Sequence, residues 1–291
     1  MDCTGRFLVG ILRACVDSYG ACSSADHWII YKIEKDKRMI DIHADILPGI
    51  DDGAEDLYDT LEMASLAVES GVEAMIATPH CNIPGVFTNY FGERYLEAFR
   101  TAQRAIEQEG IPLKLYPGME AFGTYDLPEL IGDGKIMPLN QSHYILVEFS
   151  FDEDPEYVMD LLKRVRETGA IPVIAHAERY EFVQDMPQIA REWKKMGFPV
   201  QVNKGSFMGR FGRAPWETAY ELIHNHLVSV VASDAHGPYR RTPYMLDAYE
   251  ELEEGFSREY RQLLFSKNPL AICNDEPLTD PESMVLFQEE L

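Results

Sequence analysis

Met39-Ile40-Asp41-Ile42-His43 is a short apolar run that ends on an imidazole, and the chain downstream repeats its form. Six further runs of β type are predicted at 73–78, 113–119, 143–149, 171–176, 199–203 and 228–233. Helical patterns fill the intervals at 55–70, 93–109, 156–168, 187–196, 215–225 and 244–254. Gly71 and Gly110 stand just past two of them, where a left-handed residue ends a helix without steric cost. Short, nearly continuous apolar strands alternating with amphipathic helices predict an α/β fold, a parallel sheet covered by helices, in a single domain.

The predicted strands end on residues with chemistry. The first reaches His43, the second His80, the third Glu120, the fourth Glu148, the fifth His176, the sixth Asn203, and the seventh Asp234 and His236. In a (β/α) barrel the C-terminal strand ends converge on one face, where the active site is built. A lone strand-end histidine is usually a hydrogen-bonded structural group, and Glu148 alone is compatible with a partly buried carboxylate that has found a partner. Four histidines and several carboxylates together are harder to bury, because each costs free energy without a partner. A metal cluster satisfies them collectively.

Imidazole and carboxylate donors without thiolate suit Mn, Fe, Zn or Mg better than Cu(I) or an iron–sulfur cluster. Paired ions of this kind serve phosphoryl displacement. Arg179 follows His176 by three residues and Arg241 follows His236 by five, and a planar guanidinium matches phosphate oxygens. For each arginine, phosphate binding and a surface ion pair are both open readings.

Composition and missing motifs narrow the alternatives. The 291 residues carry 49 Asp+Glu against 26 Lys+Arg, a net charge of −23 that opposes binding to a phosphate backbone, so no nucleic-acid partner is expected. With 46% apolar residues the chain can bury an ample core. The five cysteines include no C-x-x-C pair, and the positions six after each hold Val9, Ala21, Trp28, Phe87 and Thr279 where a cysteine-dependent phosphatase needs arginine. Serine-hydrolase elbow, P-loop and dinucleotide-binding signatures are absent. No apolar run approaches the length needed to span a bilayer, and Arg13 cuts the run after Arg6 short of a secretory signal, so a cytoplasmic protein is expected. Residues 1–38 differ in character from the rest and read either as an extension or as an upstream mis-called start before Met39, while 276–291 read as a tail.

The string Met39-Ile40-Asp41-Ile42-His43-Ala44-Asp45-Ile46-Leu47-Pro48-Gly49-Ile50-Asp51-Asp52-Gly53 resembles the opening of the polymerase-and-histidinol-phosphatase (PHP) superfamily. The likeness is greatest to the manganese-dependent tyrosine-protein phosphatases of capsular and exopolysaccharide loci, the CpsB type. Thr78-Pro79-His80, Gly118-Met119-Glu120, Val147-Glu148-Phe149, His176-Ala177-Glu178-Arg179, Val202-Asn203-Lys204 and Ser233-Asp234-Ala235-His236 match its later motifs in order, over about residues 39–275. The resemblance implies a distorted seven-stranded (β/α) barrel of PHP type with three divalent ions, usually manganese. It implies His43, Asp45, Glu120 and Asp234 around one ion, His80, Glu120 and His176 around the second, and Asp52, Glu148 and His236 around the third. Arg179 and Arg241 fall at its phosphate-binding positions. Its substrate is phosphotyrosine in the tail of a bacterial tyrosine kinase that regulates polysaccharide export.

One position departs from the pattern: the family usually carries His-x-His where this chain has His43-Ala44-Asp45. Asp is harder and shorter than His and adds charge. Two alternatives to a tyrosine phosphatase therefore stand beside it: another PHP phosphomonoesterase acting on a histidinol-phosphate-like substrate, and a metal-binding regulatory protein with weakened catalysis.

Overall fold

The computed structural model describes residues 38–282; the expectations about residues 1–37 and 283–291 lie outside the described residues. Among the described residues there are nine parallel strands: β1 Met39–Ala44, β2 Val72–Ala77, β3 His80–Cys81, β4 Lys114–Pro117, β5 Glu120–Phe122, β6 Tyr144–Glu148, β7 Ile171–Ile174, β8 Gln201–Asn203 and β9 Val230–Ala232. They form three sheets, ordered β1-β2-β4, β3-β5-β6-β7 and β8-β9. Isolated parallel bridges join Ile174 to Val200 and Ala44 to Ala235, beside the edges of these sheets.

Two predicted strands are interrupted. The run 73–78 continues after Thr78-Pro79 as the two-residue β3, and 113–119 divides at Gly118-Met119 into β4 and β5. Gly118 is needed there because a Cβ would lie 2.6 Å from the Ile76 side chain. Each break re-aims the next ligand-bearing residue, His80 or Glu120, and these two then pair across β3 and β5.

The helices cover the sheets. Among them α1 spans Leu57–Glu69, α2 Glu93–Gln108, α3 Leu127–Gly132 and α4 Pro155–Glu167. Asp56 caps α1 by accepting from the Tyr58 and Asp59 amides at 2.8 and 3.1 Å, and Asp154 caps α4 from Glu156 and Tyr157 at the same distances, with Pro155 in the first turn. Burying Val158, Leu161, Leu162 and Val165 of α4 against the sheet contributes on the order of 1.5–3 kcal/mol per side chain. Strands β1 and β6 are buried along their whole length, as parallel strands covered on both faces must be. The helices Arg258–Gln262 and Asn268–Cys273 form a further helical segment that no strong periodicity announces. Beyond it, Asn268 exchanges hydrogen bonds with Thr279, and Lys194 pairs with Asp280 at 2.7 Å, so the start of the predicted tail is packed against the body. Among the described residues no helix is long and apolar enough to cross a membrane.

Candidate metal centre

Side chains alternate along a strand, so Asp41 and His43 of β1 share one face, and Asp45 continues it. Asp41 uses its carboxylate to accept from the Ser233 amide at 3.0 Å, tying β1 to the segment after β9. The Asp234 and Asp45 amides then donate to the His43 and Ala235 carbonyls, both at 2.9 Å. These bonds bring Asp234 beside His43, nearly two hundred positions apart in sequence.

The nine predicted metal-ligating residues come together. The His43 Nε2 lies 3.2 Å from Glu120 Oε2 and 3.5 Å from Asp234 Oδ1. His80 Nδ1 meets Glu148 Oε1 at 2.8 Å and Glu120 Oε2 at 2.9 Å, and His176 Nε2 meets Glu120 Oε1 at 3.0 Å and Glu148 Oε2 at 3.8 Å. His236 Nδ1 lies 3.1 Å from Asp45 Oδ2, and Asp52 reaches His80 at 3.6 Å and His236 at 4.0 Å. Three groups of donor atoms are close enough to share a cation: His43 with Asp45 and Glu120; His80 with Glu120 and Glu148; and Asp45 with Asp52, His80 and His236. This differs from the allotment implied by resemblance: Glu148 groups with His80 and Glu120 instead of with Asp52 and His236, Asp45 and His80 join Asp52 and His236, and Asp234 and His176 lie beside these groups without falling in one. Pairing of β5 with β6 is the reason for the Glu148 grouping, because it sets Glu148 beside the Glu120 strand.

A cation fits the donors. Both carboxylate oxygens of Asp45, Glu120 Oε2, His43 Nε2 and His236 Nδ1 are buried and crowd one another without making a well-directed hydrogen bond. Buried acceptors turned toward one another are costly unless a positive charge sits among them. Protonation follows the same imbalance. Burial opposes the charged form of His43, yet Glu120 and Asp234 overcome it and raise its pKa to about 10. Burial, reinforced by Asp51, pushes Asp45 well above the carboxylate range; burial raises Glu148 as well. Asp234 goes the other way, to about 2, because His43 and Arg241 outweigh its burial.

Both predicted arginines reach the cluster. Arg179 Nη1 lies 3.7 Å from Asp234 Oδ2, and Arg241 forms a close ion pair with the same oxygen. The Arg179 guanidinium is held between two aromatic faces, Phe151 at 4.2 Å and Phe211 at 4.4 Å, and Arg241 lies 5.7 Å from the Phe211 ring. His176, Asp234 and Arg241 all have positive φ, at 31°, 51° and 47°, a conformation that costs a non-glycine residue energy and that the surrounding packing imposes. Gly53 shows the same crowding, since a Cβ there would fall 2.1 Å from the Asp45 carbonyl oxygen. The one described cysteine near the cluster, Cys81, is buried, and burial holds its thiol far above the range of a nucleophile.

Several contributors escaped the sequence reading. Asp51 accepts from the His80 amide at 2.9 Å; the Glu178 carboxylate accepts from the Ser206 hydroxyl and the Asn203 amide; Gln201 touches His43 and His176. A buried-type apolar run carrying an amide, Val200-Gln201-Val202-Asn203, was the available signal for the last.

Parallel β/α units whose strand ends gather imidazoles, carboxylates and two arginines define a protein with a candidate multi-ion metal centre at the C-terminal end of its sheets. The family model for capsular polysaccharide synthesis, CpsB/CapC, matches residues 39–274, and the chain belongs to that family. Among its relatives, tyrosine-protein phosphatase YwqE of Bacillus subtilis (strain 168) is 35% identical over 247 residues, covering 85% of this chain and 96% of the relative. Tyrosine-protein phosphatase CpsB of Streptococcus pneumoniae is 30% identical over 243 residues, covering 82% and 99%. A crystal structure from work on YwqE and CpsB, described as unique metal-dependent tyrosine phosphatases, matches with a TM-score of 0.77 at 34% identity, over 83% of this chain and 96% of that one.

Proposed function

We propose that this chain is a metal-dependent, cysteine-independent tyrosine-protein phosphatase. The observation that carries the reading is the set of buried nitrogen and carboxylate donors that face one another without well-directed hydrogen bonds, with Arg179 and Arg241 meeting at Asp234 beside them. The names of the relatives supply the phosphotyrosine substrate class. We read three divalent ions, manganese for preference, with His43, Asp45, Glu120 and Asp234 around one, His80, Glu120, Glu148 and His176 around another, and Asp52 and His236 with Asp45 and His80 around the third. Hard oxygens mixed with imidazoles support that metal class. The three sheets are read as arcs of a distorted seven-stranded barrel, with the bridges Ile174–Val200 and Ala44–Ala235 in support.

Bound ions of this kind acidify water and neutralise charge on phosphoryl oxygens. Arg179 and Arg241 would donate to those oxygens, exchanging Asp234 for the substrate, while Phe151 and Phe211 keep the Arg179 plane fixed. A phenolate leaves phosphorus more readily than an alkoxide, since the tyrosine hydroxyl has a pKa of about 10. The physiological substrate in this reading is a bacterial tyrosine kinase acting in capsule or exopolysaccharide synthesis, and the location is cytoplasmic; the family description supports the pathway.

Turnover of a phosphotyrosine peptide, a phosphoserine peptide and histidinol phosphate by protein stripped with chelator and reloaded with Mn tests the reading. Phosphotyrosine should be preferred and Mn required. Arg179→Ala and Arg241→Ala should each lose ~3 kcal/mol of barrier lowering, about a hundredfold in rate, with bound Mn unchanged. Turnover in excess chelator, or both variants within twofold of wild type, would sink the assignment.

A further inference from the structure

Gln201 and Asn203 lie two apart on β8, so their side chains point to the same face, and both are fully buried. Their amides are chained. The backbone N–H of His176 donates to Gln201 Oε1 at 2.8 Å, which identifies that atom as the oxygen, because an amide NH2 could not accept. His43 Nδ1 lies 3.2 Å from the same oxygen. Nδ1 therefore carries hydrogen, and in the neutral ring the lone pair belongs to Nε2, the nitrogen that faces Glu120 and Asp234. At the other end, Gln201 Nε2 donates to Asn203 Oδ1 at 2.8 Å. That bond turns the Asn203 NH2 toward Asp234 Oδ2, to which it donates. With Oδ2 engaged, Asp234 presents Oδ1 to His43 Nε2 at 3.5 Å and His236 Nδ1 at 3.6 Å.

We propose that Gln201, acting through Asn203, is a positioning residue: a buried amide relay that selects the tautomer of His43 and the free oxygen of Asp234 so that both face one cation. The inference rests on the metal-centre reading above. Its logic is directional. Backbone pairing of Gln201 with Val230 already holds β8 in its sheet, so the side chain is not needed to form the strand. A single amide at this position has one acceptor for two donors, the His43 ring and the His176 backbone, and one donor group for Asn203. Neither a carboxylate nor an apolar side chain can do both. The His176 bond also braces a residue whose φ of 31° is unfavourable, so the relay touches the ligand-bearing ends of three segments at once. Groups that orient ligands in this way commonly contribute about 10–100-fold in metal affinity.

The test is calorimetric titration of Mn into chelator-stripped, full-length wild type, Gln201→Met and Asn203→Ala, with melting temperatures of the stripped proteins recorded alongside. Gln201→Met keeps length and volume but removes both hydrogen-bonding functions. In it, one class of Mn site is expected to weaken ~10–100-fold while the remaining sites keep wild-type affinity. Phosphotyrosine turnover should recover as Mn is raised, which a loss confined to folding would not show. Asn203→Ala cuts the relay at its far end and should weaken the same class of site, so it decides the matter should Gln201→Met not fold. Mn stoichiometry and affinities within twofold of wild type in a folded variant would overturn the relay and leave the metal centre standing. If wild type itself binds no Mn, the metal-centre reading falls and the relay with it.

Discussion

His43, Glu120 and Asp234, on one side of the centre, have side chains sealed from solvent, whereas on the other side Asp52 is 57% exposed and His80 and His236 are 12% exposed. The closed side is braced by Gln201, Asn203, Ser233 and Asp41 through buried hydrogen bonds. The open side is held mainly by the loop from Asp51 to Gly53 and by the segment from His236 to Arg241. Asp45 stands between the two and belongs to a candidate group on each. A sealed, hydrogen-bonded ligand set keeps its geometry without help from substrate, while an accessible set can admit a phosphoryl group and exchange contacts. The division of labour expected is retention of ions by the first and substrate engagement by the second.

The largest effect should come from the residue that couples both sides. Glu120 meets His43, His80 and His176, so Glu120→Gln is expected to cost ~4 kcal/mol of barrier lowering, about a thousandfold in phosphotyrosine turnover, together with lost Mn by elemental analysis. Turnover within tenfold of wild type would mean that the two sides work independently.

A smaller effect should appear on varying pH. The Asp45 carboxyl is raised by burial and by Asp51, so in stripped protein it keeps its proton to a higher pH than an ordinary carboxyl. Protonated carboxyl does not bind a cation; deprotonation as pH rises frees the ligand, and Mn affinity should climb with pH by roughly tenfold per unit for each proton displaced. The sign for folding is opposite: an acid with a raised native pKa stabilises the stripped protein at low pH and loses that contribution as pH rises through the native value. Asp45→Asn should shallow the rise in affinity and, in melts of stripped protein, the accompanying loss of stability. An unchanged pH profile would remove Asp45 from its place between the two sides.

The smallest effect lies away from both. Asp154→Ala should remove the α4 cap and about 1 kcal/mol of stability in urea melts, with Mn affinity unaltered. Altered Mn binding in that variant would show that the helical cover and the centre are coupled.

Much of the fold was legible because parallel strands are written as apolar runs: 39–43 became Met39–Ala44 and 143–149 became Tyr144–Glu148. The run 113–119 was not legible as two strands, because the break depends on a clash between position 118 and Ile76 on the neighbouring strand. The helical segment from Arg258 to Cys273 has its apolar residues spread around it, so it carried little periodic signal. For the centre, strand-end polarity exposed seven of the predicted ligands, His43, His80, Glu120, Glu148, His176, Asp234 and His236, with Arg179 and Arg241 just beyond two of those ends; Asp45 and Asp52 came from the resemblance of the opening motif. Gln201 was hidden inside a strand, where a buried amide looks like any other polar interruption until its partners are known.

Sequence by itself determined the inventory: where the apolar strand-forming runs lie, which donors stand at their ends, that imidazole and carboxylate must share a buried face, and that no cysteine stands in a phosphatase motif. Those are properties of residue type and local spacing. Tertiary structure alone decided the sharing, with Glu148 beside His80, Asp45 between the two sides, and Arg179 and Arg241 both on Asp234. Cation and phosphate sites depend on separations of a few ångströms between atoms distant in the chain, and only the pairing and packing of the strands set those separations.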